Sequence, residues 1–392
     1  PPAILPRMHH RLIILGSTGS IGCSALDVVR GLGPDVRVVG LAAGRDWAKL
    51  AEQARRFRVG TVAIADETCA ADLARACPPN TRVLAGPQGL VELVQTTDAD
   101  FVLAAIVGVA GLPATLAAVE RGIDVGLANK ESLVVAGSII MPLARQRGCR
   151  LIPVDSEHSA IFQALMSGRP EEVRRIYLTA SGGPFRTWPK ERIAQATIAE
   201  ALDHPTWSMG PKITIDSATM MNKALEIIEA HYLFDVPVDR LQVLVHPESI
   251  VHSMVEFRDG SVIAQLGTPD MRTPIQYAIT YPQRAPGLAQ PLTWDTARRL
   301  NFEPPDPQRF PALTLGHEAA QRGGTCGAVL NAANEAAVER FRAGEIQFGQ
   351  IAELAGRTLR RHRGVAQPAL ADLMAADAWA RQEVDECIRV GA

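Results

Sequence analysis

Between Arg11 and Val154 six short apolar runs, R-L-I-I-L, V-R-V-V-G-L-A, T-V-A-I-A, D-F-V-L-A-A-I, D-V-G-L-A and R-L-I-P-V, alternate with stretches of helical spacing. Strands that are apolar throughout need cover on both faces, so this alternation implies a parallel sheet between two layers of helices. The first run leads into G-S-T-G-S-I-G, which places Gly16, Gly19 and Gly22 between a strand and a helix. Glycines there let the backbone turn tightly and approach a pyrophosphate, while the helix start offers N–H groups and a positive dipole end. A ligand-free strand-to-helix turn uses the same residues, and G-x-x-G-x-x-G is looser than G-x-G-x-x-G; the strand–loop–helix context favours a dinucleotide. The second run ends in A-A-G-R-D-W, where the ribose reader of such a fold sits. Asp46 suits a ribose 2'-OH and NAD, Arg45 suits a 2'-phosphate and NADP, and both also read as solvated helix-start charges.

Beyond Asp155 the pattern is less regular. A strand is expected at 174–179, a Gly/Pro/Trp-containing loop at 181–209, a helix from Ser217 to about Phe234, and a hairpin in V-H-S-M-V-E-F-R-D-G-S-V-I-A-Q-L turning at Asp259-Gly260. Pro282 to Pro311 reads as an extended proline-rich linker, and the Ala- and Glu-rich remainder as a helical bundle. The expected organisation is a Rossmann-like α/β domain (1–154), a central α+β domain (155–281), a linker (282–312) and a C-terminal helical domain (313–392). A formal charge of −2 gives no nucleic-acid footprint, and no apolar run approaches the roughly 20 residues that cross a bilayer. Cys23, Cys69, Cys77, Cys149, Cys326 and Cys387 are scattered without C-x-x-C spacing, which fits a reducing cytoplasm. The first residue is not Met, so the N-terminus reads as processed, truncated or a cloning remnant.

P-V-D-S-E-H sets Asp155 and Glu157 one residue apart, on one face if the backbone is extended, where they repel unless one is protonated or a cation lies between them. A solvated loop pair is the bland alternative; a hard divalent cation is the chemical one, and it needs further ligands. His158 reads as a helix-start or core residue. In K-I-T-I-D-S-A-T-M-M-N-K-A-L-E, Ser217 is a plausible N-cap, and Asn222, Lys223 and Glu226 share one helical face. That face is either a solvated stripe or a phosphate site with a metal ligand, Glu226, a turn deeper. T-A-S-G-G-P-F adds Ser181 and two glycines, a possible backbone nest for the phosphate.

Jointly, G-S-T-G-S-I-G, A-A-I-V-G, L-A-N-K-E-S-L, P-V-D-S-E-H, S-G-G-P-F, W-S-M-G, D-S-A-T-M-M-N-K, H-P-E-S, P-D-M-R-T-P-I and L-N-A-A-N-E, in this order, resemble the 1-deoxy-D-xylulose 5-phosphate reductoisomerase family over nearly the whole chain. The resemblance implies NADPH and a divalent metal, magnesium or manganese with cobalt as a third candidate. It implies that Asp155, Glu157 and Glu226 bind that metal. Ser181, Ser217, Asn222 and Lys223 would hold the substrate phosphate. Lys130 and Ser156 would contact the substrate near the metal, with Ser249 and Met271 lining the site. His204, Trp207 and Met209 would lie on a mobile loop that closes over the substrate, and His252 would act near the site. The nucleotide would touch Gly16, Ser17, Thr18, Gly19, Ser20, Ile21, Gly44, Arg45, Asn129, Glu131 and Gly210, with Asp46 standing where many members carry Asn. His246 keeps a structural reading. The implied reaction is isomerisation of the phosphorylated sugar by a retroaldol and re-aldol sequence or an equivalent shift, then NADPH reduction of the aldehyde to 2-C-methyl-D-erythritol 4-phosphate for isoprenoid synthesis. Lys130 would stabilise charge or relay protons, and Glu157, His204, Trp207 and His252 would complete the machinery. A homodimer is implied, with no nucleic-acid or membrane partner. Two rivals stand beside this reading: a metal-assisted NADP-linked dehydrogenase of another phosphorylated polyol, and a non-catalytic nucleotide-sensing module.

Overall fold

A computed structural model describes residues 9–207, 209–295 and 298–391; Ser208 of the W-S-M-G run, the first eight residues, positions 296–297 of the proline-rich stretch and residue 392 lie outside them. In chain order the elements are β1 (Arg11–Leu15), α1 (Ser20–Leu32), β2 (Arg37–Ala43), α2 (Trp47–Phe57), β3 (Thr61–Ile64), α3 (Ala70–Ala76), β4 (Arg82–Ala85), α4 (Gly86–Thr96), β5 (Phe101–Ala104), α5 (Leu112–Glu120), β6 (Asp124–Leu127), α6 (Glu131–Arg147), β7 (Leu151–Pro153) and α7 (Ser156–Leu165). There follow β8 (Val173–Ala180), α8 (Lys190–Ala194), α9 (Ile198–Leu202), α10 (Pro211–Thr219), α11 (Met221–Phe234), β9 (Leu241–Val245), β10 (Val251–Phe257), β11 (Val262–Leu266), α12 (Arg272–Thr280), α13 (Ala312–Arg322), α14 (Cys326–Arg342), α15 (Phe348–Arg361) and α16 (Leu370–Arg389). They form two compact units, one of residues 1–132, 140–159 and 270–291, the other of 133–139, 160–269 and 292–392.

The first unit is a seven-stranded sheet of order β4-β3-β2-β1-β5-β6-β7, parallel throughout. Leu12 to Leu15 of β1 are fully buried at its centre, as strands covered on both faces require. The connection reverses between β1 and β5, which opens a crevice at the carboxyl ends of these strands. All six expected strands are present. The seventh, β4, escapes sequence reading because T-R-V-L-A is short, sits at the sheet edge and runs into Gly86-Pro87 at the start of α4.

The second unit carries a four-stranded sheet, β11-β10-β8-β9, in which only β8 and β9 are parallel. Ile176 and Leu178 of β8, Leu225 and Ile228 of α11 and Val329 and Leu330 of α14 belong to one buried cluster, so the helical bundle backs the helix that carries the polar face. The hairpin occurs where expected, with a three-residue turn rather than two. Gly260 N–H donates to Phe257 O, Phe257 N–H donates to Ser261 O, and Gly260 supplies a φ of 87°.

Two local expectations are corrected. The helix expected from Ser217 to Phe234 is two helices broken at Met220, whose φ of 62° is left-handed. Ser217 therefore lies in the last turn of α10 and caps nothing. Asp155 and Glu157 are not an extended pair, because α7 starts at Ser156 and places Glu157 in its first turn.

Candidate active site

In the first unit the three glycines divide the labour. Gly16 has a φ of 85°, and a Cβ on it would stand 2.5 Å from Ala105 O across the crevice; a Cβ on Gly22 would stand 2.3 Å from Gly16 O, so only glycine lets α1 pack on the loop. Gly19 meets nothing closer than 3.4 Å and is exposed, the position from which backbone approaches a pyrophosphate. The loop itself is held from beneath. Gly16 and Ser17 donate their N–H groups to Ala42 O, and the buried Ser17 hydroxyl donates to Gln53 Oε1 at 2.8 Å while Gln53 Nε2 returns to Ser17 O at 2.9 Å. Of the expected contacts, then, Gly16 and Ser17 shape the loop, and Thr18, Gly19, Ser20 and Ile21 form its accessible rim ahead of the unsatisfied N–H groups of α1. Gln53 was not anticipated. Its signal was an amide on the inner face of an otherwise apolar helix stripe.

At the end of β2 a Cβ on Gly44 would meet, among the described residues and beyond its own chain neighbours, no atom within 4 Å, which leaves the crevice mouth open beside it. Asp46 caps α2 by accepting from Lys49 N–H at 3.1 Å, so the helix-start reading of this carboxylate holds. Arg45 is exposed and ion-paired at 2.8 Å with Asp66, whose carboxyl is held below its ordinary range by hydrogen bonds from Thr68. Lys49 Nζ reaches Thr18 O at 2.9 Å. Arg45 and Lys49 thus set two cationic side chains at the end of β2 and beside the glycine loop. Asn129 is committed within the fold: its amide donates to Ile106 O, to Gly108 O at 3.0 Å and to Glu131 Oε2 at 3.2 Å, and its carbonyl accepts from Ser132 N at 2.9 Å. It ties the A-I-V-G loop to the start of α6 and orients the buried Glu131.

Farther along this unit Lys130 Nζ lies 2.5 Å from Asp155 Oδ2, with both side chains largely buried, and Ser156 Oγ donates to Glu157 Oε2 at 2.5 Å. The acidic pair therefore sits at a helix start beside a buried ammonium. Met271 stands at the start of α12, after an Asp270 carboxyl lowered by its bidentate partner Arg272.

In the second unit Ser181, His204 and Ser217 come together from three segments. His204 Nε2 is 3.0 Å from Ser181 Oγ and 3.1 Å from Ser217 Oγ. Gly183, at φ 65°, lets the S-G-G loop lie on the last turn of α10, where a Cβ would come within 2.8 Å of Ser217 O. His204 Nδ1 accepts from Thr206 N–H at 3.1 Å and Trp207 N–H at 2.9 Å, so the proton of the neutral ring is on Nε2, facing the serines. The Trp207 ring lies 6.5 Å from that of His252, and Met209 and Gly210 lead into α10, with Gly210 as its N-cap before Pro211. On α11, Asn222 Nδ2 donates to Glu226 Oε1 at 2.5 Å and the Lys223 ammonium pairs with Glu226 Oε2, so these three do share one face, with Lys223 and Glu226 buried. His246 is structural, as expected: Nδ1 donates to Asn301 O at 2.8 Å, and Nε2 accepts from Ile250 and Val251 N–H at 3.2 and 3.1 Å. That ring builds the H-P-E-S turn, in which Ser249 is buried with a left-handed φ of 50°, an uncommon conformation for a side-chain-bearing residue.

Burial lowers the His204 pKa below its ordinary 6.5. The unfolded chain then binds the proton more readily, so stability is full above about pH 6.5 and falls as pH drops toward the folded-state value. Protonation at Nδ1 also removes the acceptor for Thr206 and Trp207. The expected outcome is an acid transition in Trp207 fluorescence, taken as the difference between wild type and Trp207→Phe, with its midpoint below 6.5 and absent in His204→Asn. A pH-independent difference spectrum would contradict it.

Three family models match the chain: 1-deoxy-D-xylulose 5-phosphate reductoisomerase at residues 12–137, its C-terminal domain at 151–234, and the DXP reductoisomerase C-terminal domain at 266–383. Among curated relatives, the 1-deoxy-D-xylulose 5-phosphate reductoisomerase of Chloroherpeton thalassium is 52% identical over 375 residues, covering 95% of this chain and 97% of its own length. Among solved structures, the enzyme of that name from Zymomonas mobilis in complex with NADPH is 44% identical, with a TM-score of 0.91 over 97% of this chain and 99% of the other. A DOX-P reductoisomerase in complex with NADPH, fosmidomycin and magnesium is 38% identical, with a TM-score of 0.92 over 97% and 98% of the two chains.

Proposed function

Since the chain belongs to the 1-deoxy-D-xylulose 5-phosphate reductoisomerase family, we infer that it isomerises 1-deoxy-D-xylulose 5-phosphate and reduces the aldehyde with NADPH to 2-C-methyl-D-erythritol 4-phosphate, in the non-mevalonate isoprenoid pathway. The observation that carries this reading is the convergence of Ser181, His204 and Ser217 on one point, a phosphate cradle that a plain nucleotide-binding module has no use for.

The residues present fit both the nucleotide and the metal. The glycine loop, the open mouth at Gly44 and the flanking Arg45 and Lys49 suit NADPH, and Asp155, Glu157 and Glu226 are carboxylates, the oxygen donors that suit a hard cation such as Mg²⁺. When bound, NADPH supplies hydride and the divalent cation draws charge from the substrate oxygens. The chain supplies the rest. Ser181 and Ser217 offer hydroxyls to the phosphate, His204 offers its Nε2 proton, and Asn222 and Lys223 extend the same site. The Lys130 ammonium, set against Asp155, is placed to steady negative charge or pass a proton. By the family resemblance Ser156, Ser249 and Met271 would contact the substrate, and Trp207 with His252 would shield it from water.

On this reading residues 1–154 serve the nucleotide, 155–281 the chemistry and dimerisation, 282–312 link, and 313–392 support. Six free cysteines suit a cytoplasmic location, and no helix among the described residues is long and apolar enough to cross a membrane. The edge strand β11, with Val262 and Ile263 exposed, offers a surface for a homodimer.

The test is oxidation of NADPH and of NADH on adding 1-deoxy-D-xylulose 5-phosphate and Mg²⁺. NADPH is the expected cofactor. Arg45→Ala should lower the NADPH-to-NADH ratio of kcat/KM by about tenfold, the worth of a charge-assisted hydrogen bond. Asp46→Asn keeps an acceptor for the α2 cap while removing a charge, and should raise the ratio. Equal use of both cofactors, unchanged by Arg45→Ala, would defeat the assignment.

A further inference from the structure

Asp216, one residue before Ser217, is 1% exposed on α10. Its carboxylate accepts from Asn334 Nδ2 on α14 at 2.8 Å through Oδ1 and pairs with Lys212 Nζ at 2.8 Å through Oδ2. Neither charge favours the helix that bears it. Lys212 lies in the first turn, facing the positive dipole end, and Asp216 lies near the C-terminus, facing the negative one; an i,i+4 pair in this order is the weaker orientation. The arrangement is thus not explained by the stability of α10 alone.

Its neighbours show what it does. Just after it the chain breaks: Thr219 Oγ1 donates to Asp216 O at 3.2 Å and accepts from Met221 N–H at 3.2 Å, bracing the left-handed Met220 between α10 and α11. Ser217 belongs to the braced turn, and its hydroxyl must meet His204 Nε2, 3.1 Å away, for the cradle to close. Asn334 belongs to the L-N-A-A-N-E run, whose place in the function the motifs themselves left unassigned. Its buried carbonyl has no hydrogen-bond partner among the described residues, and the side chain is oriented by its donation to Asp216.

We propose that Asp216 is a positioning residue for the substrate phosphate: by accepting from Asn334 it anchors the last turn of α10 to the C-terminal bundle and fixes Ser217 against His204. The inference rests on the phosphate reading of Ser181, His204 and Ser217. The test compares steady-state kinetics of wild type, Asp216→Leu and Asp216→Asn. Asp216→Leu removes both contacts and should raise KM for 1-deoxy-D-xylulose 5-phosphate by about tenfold or more, because a small misplacement of a binding group is costly. KM for NADPH should stay within about twofold, since only binding at the phosphate is altered. Asp216→Asn keeps an acceptor for Asn334 and should restore most of the lost affinity. If Asp216→Leu does not fold, Asn334→Ala, which leaves the Lys212 pair in place, is read in the same way. Unchanged KM for the sugar phosphate, equal losses toward both substrates, or failure of both variants to fold would overturn the proposal. A wild type that turns over no 1-deoxy-D-xylulose 5-phosphate would instead defeat the functional reading on which it rests.

Discussion

Asp155→Asn, Glu157→Gln and Glu226→Gln are each expected to lower kcat by roughly two to three orders of magnitude, because each removes one negative charge from a site that must hold a divalent cation while leaving side-chain volume almost unchanged. Folding should survive. In Glu157→Gln the Ser156 hydroxyl can still donate to the side-chain oxygen that remains, and in Glu226→Gln the Asn222 amide can do the same. Isothermal titration with Mg²⁺ separates this from a general defect: the variants should bind the metal far more weakly and NADPH normally. The neighbouring ammoniums sharpen the expectation. Lys130 faces Asp155 and Lys223 faces Glu226, so without the cation each carboxylate has a positive charge at hand, and a variant that loses the carboxylate retains an uncompensated lysine that repels the metal. Full activity in any of the three after thorough chelation, or wild-type turnover indifferent to a chelator, would remove the three-carboxylate site.

The second large effect concerns Lys223. The phosphate takes no part in bond making, yet its contacts can draw the covering segment shut, so that remote binding energy is used at the reacting carbons. Lys223→Ala should therefore lower kcat as well as raise KM, by roughly a hundredfold in kcat/KM together, the cost of a buried charge-assisted contact. Dephosphorylated 1-deoxyxylulose should be a very poor substrate even at saturation. The pairing of Lys223 with buried Glu226 adds a second signature. Removing the ammonium lowers thermal stability in metal-free buffer, and Mg²⁺ should restore more of it in the variant than in wild type, since the cation supplies the missing positive charge. A phosphonate joined by a short chain to a hydroxamate reports on both ends of the site at once: its binding should need Mg²⁺ and should weaken in Lys223→Ala. Metal-independent binding of that compound, untouched by the substitution, would mean that these residues serve different sites.

Much of this was legible in the sequence. The parallel sheet followed from strands apolar throughout, and the glycine loop from its place between strand and helix. The candidate phosphate and acidic residues could be singled out because several motifs agreed in order. What stayed hidden was geometry set by non-local contacts. Spacing alone reads S-A-T-M-M-N-K as continuous helix, because nothing local marks Met220 as left-handed; the break is held by Thr219 and by the anchoring of Asp216 on α14. The role of Asp46 was undecided for the same reason, since an aspartate at a helix start serves a cap and a ribose equally well until its hydrogen-bond partner is known. His204 was singled out by resemblance. Its position between two serines from distant segments could not be read from sequence, because Ser181 and Ser217 approach only where Gly183 lets one loop lie on another turn.

The enzyme rearranges a carbon skeleton before reducing it. Incubating 1-deoxy-D-xylulose 5-phosphate, labelled with ¹³C at its carbonyl carbon, with NADPH and Mg²⁺ and following the reaction by NMR tests this directly. The expected product is branched, 2-C-methyl-D-erythritol 4-phosphate, in which the labelled carbon is quaternary and bears the methyl group, formed one for one with NADP⁺. An unbranched polyol phosphate with the label in a secondary alcohol would show a plain dehydrogenase and contradict it.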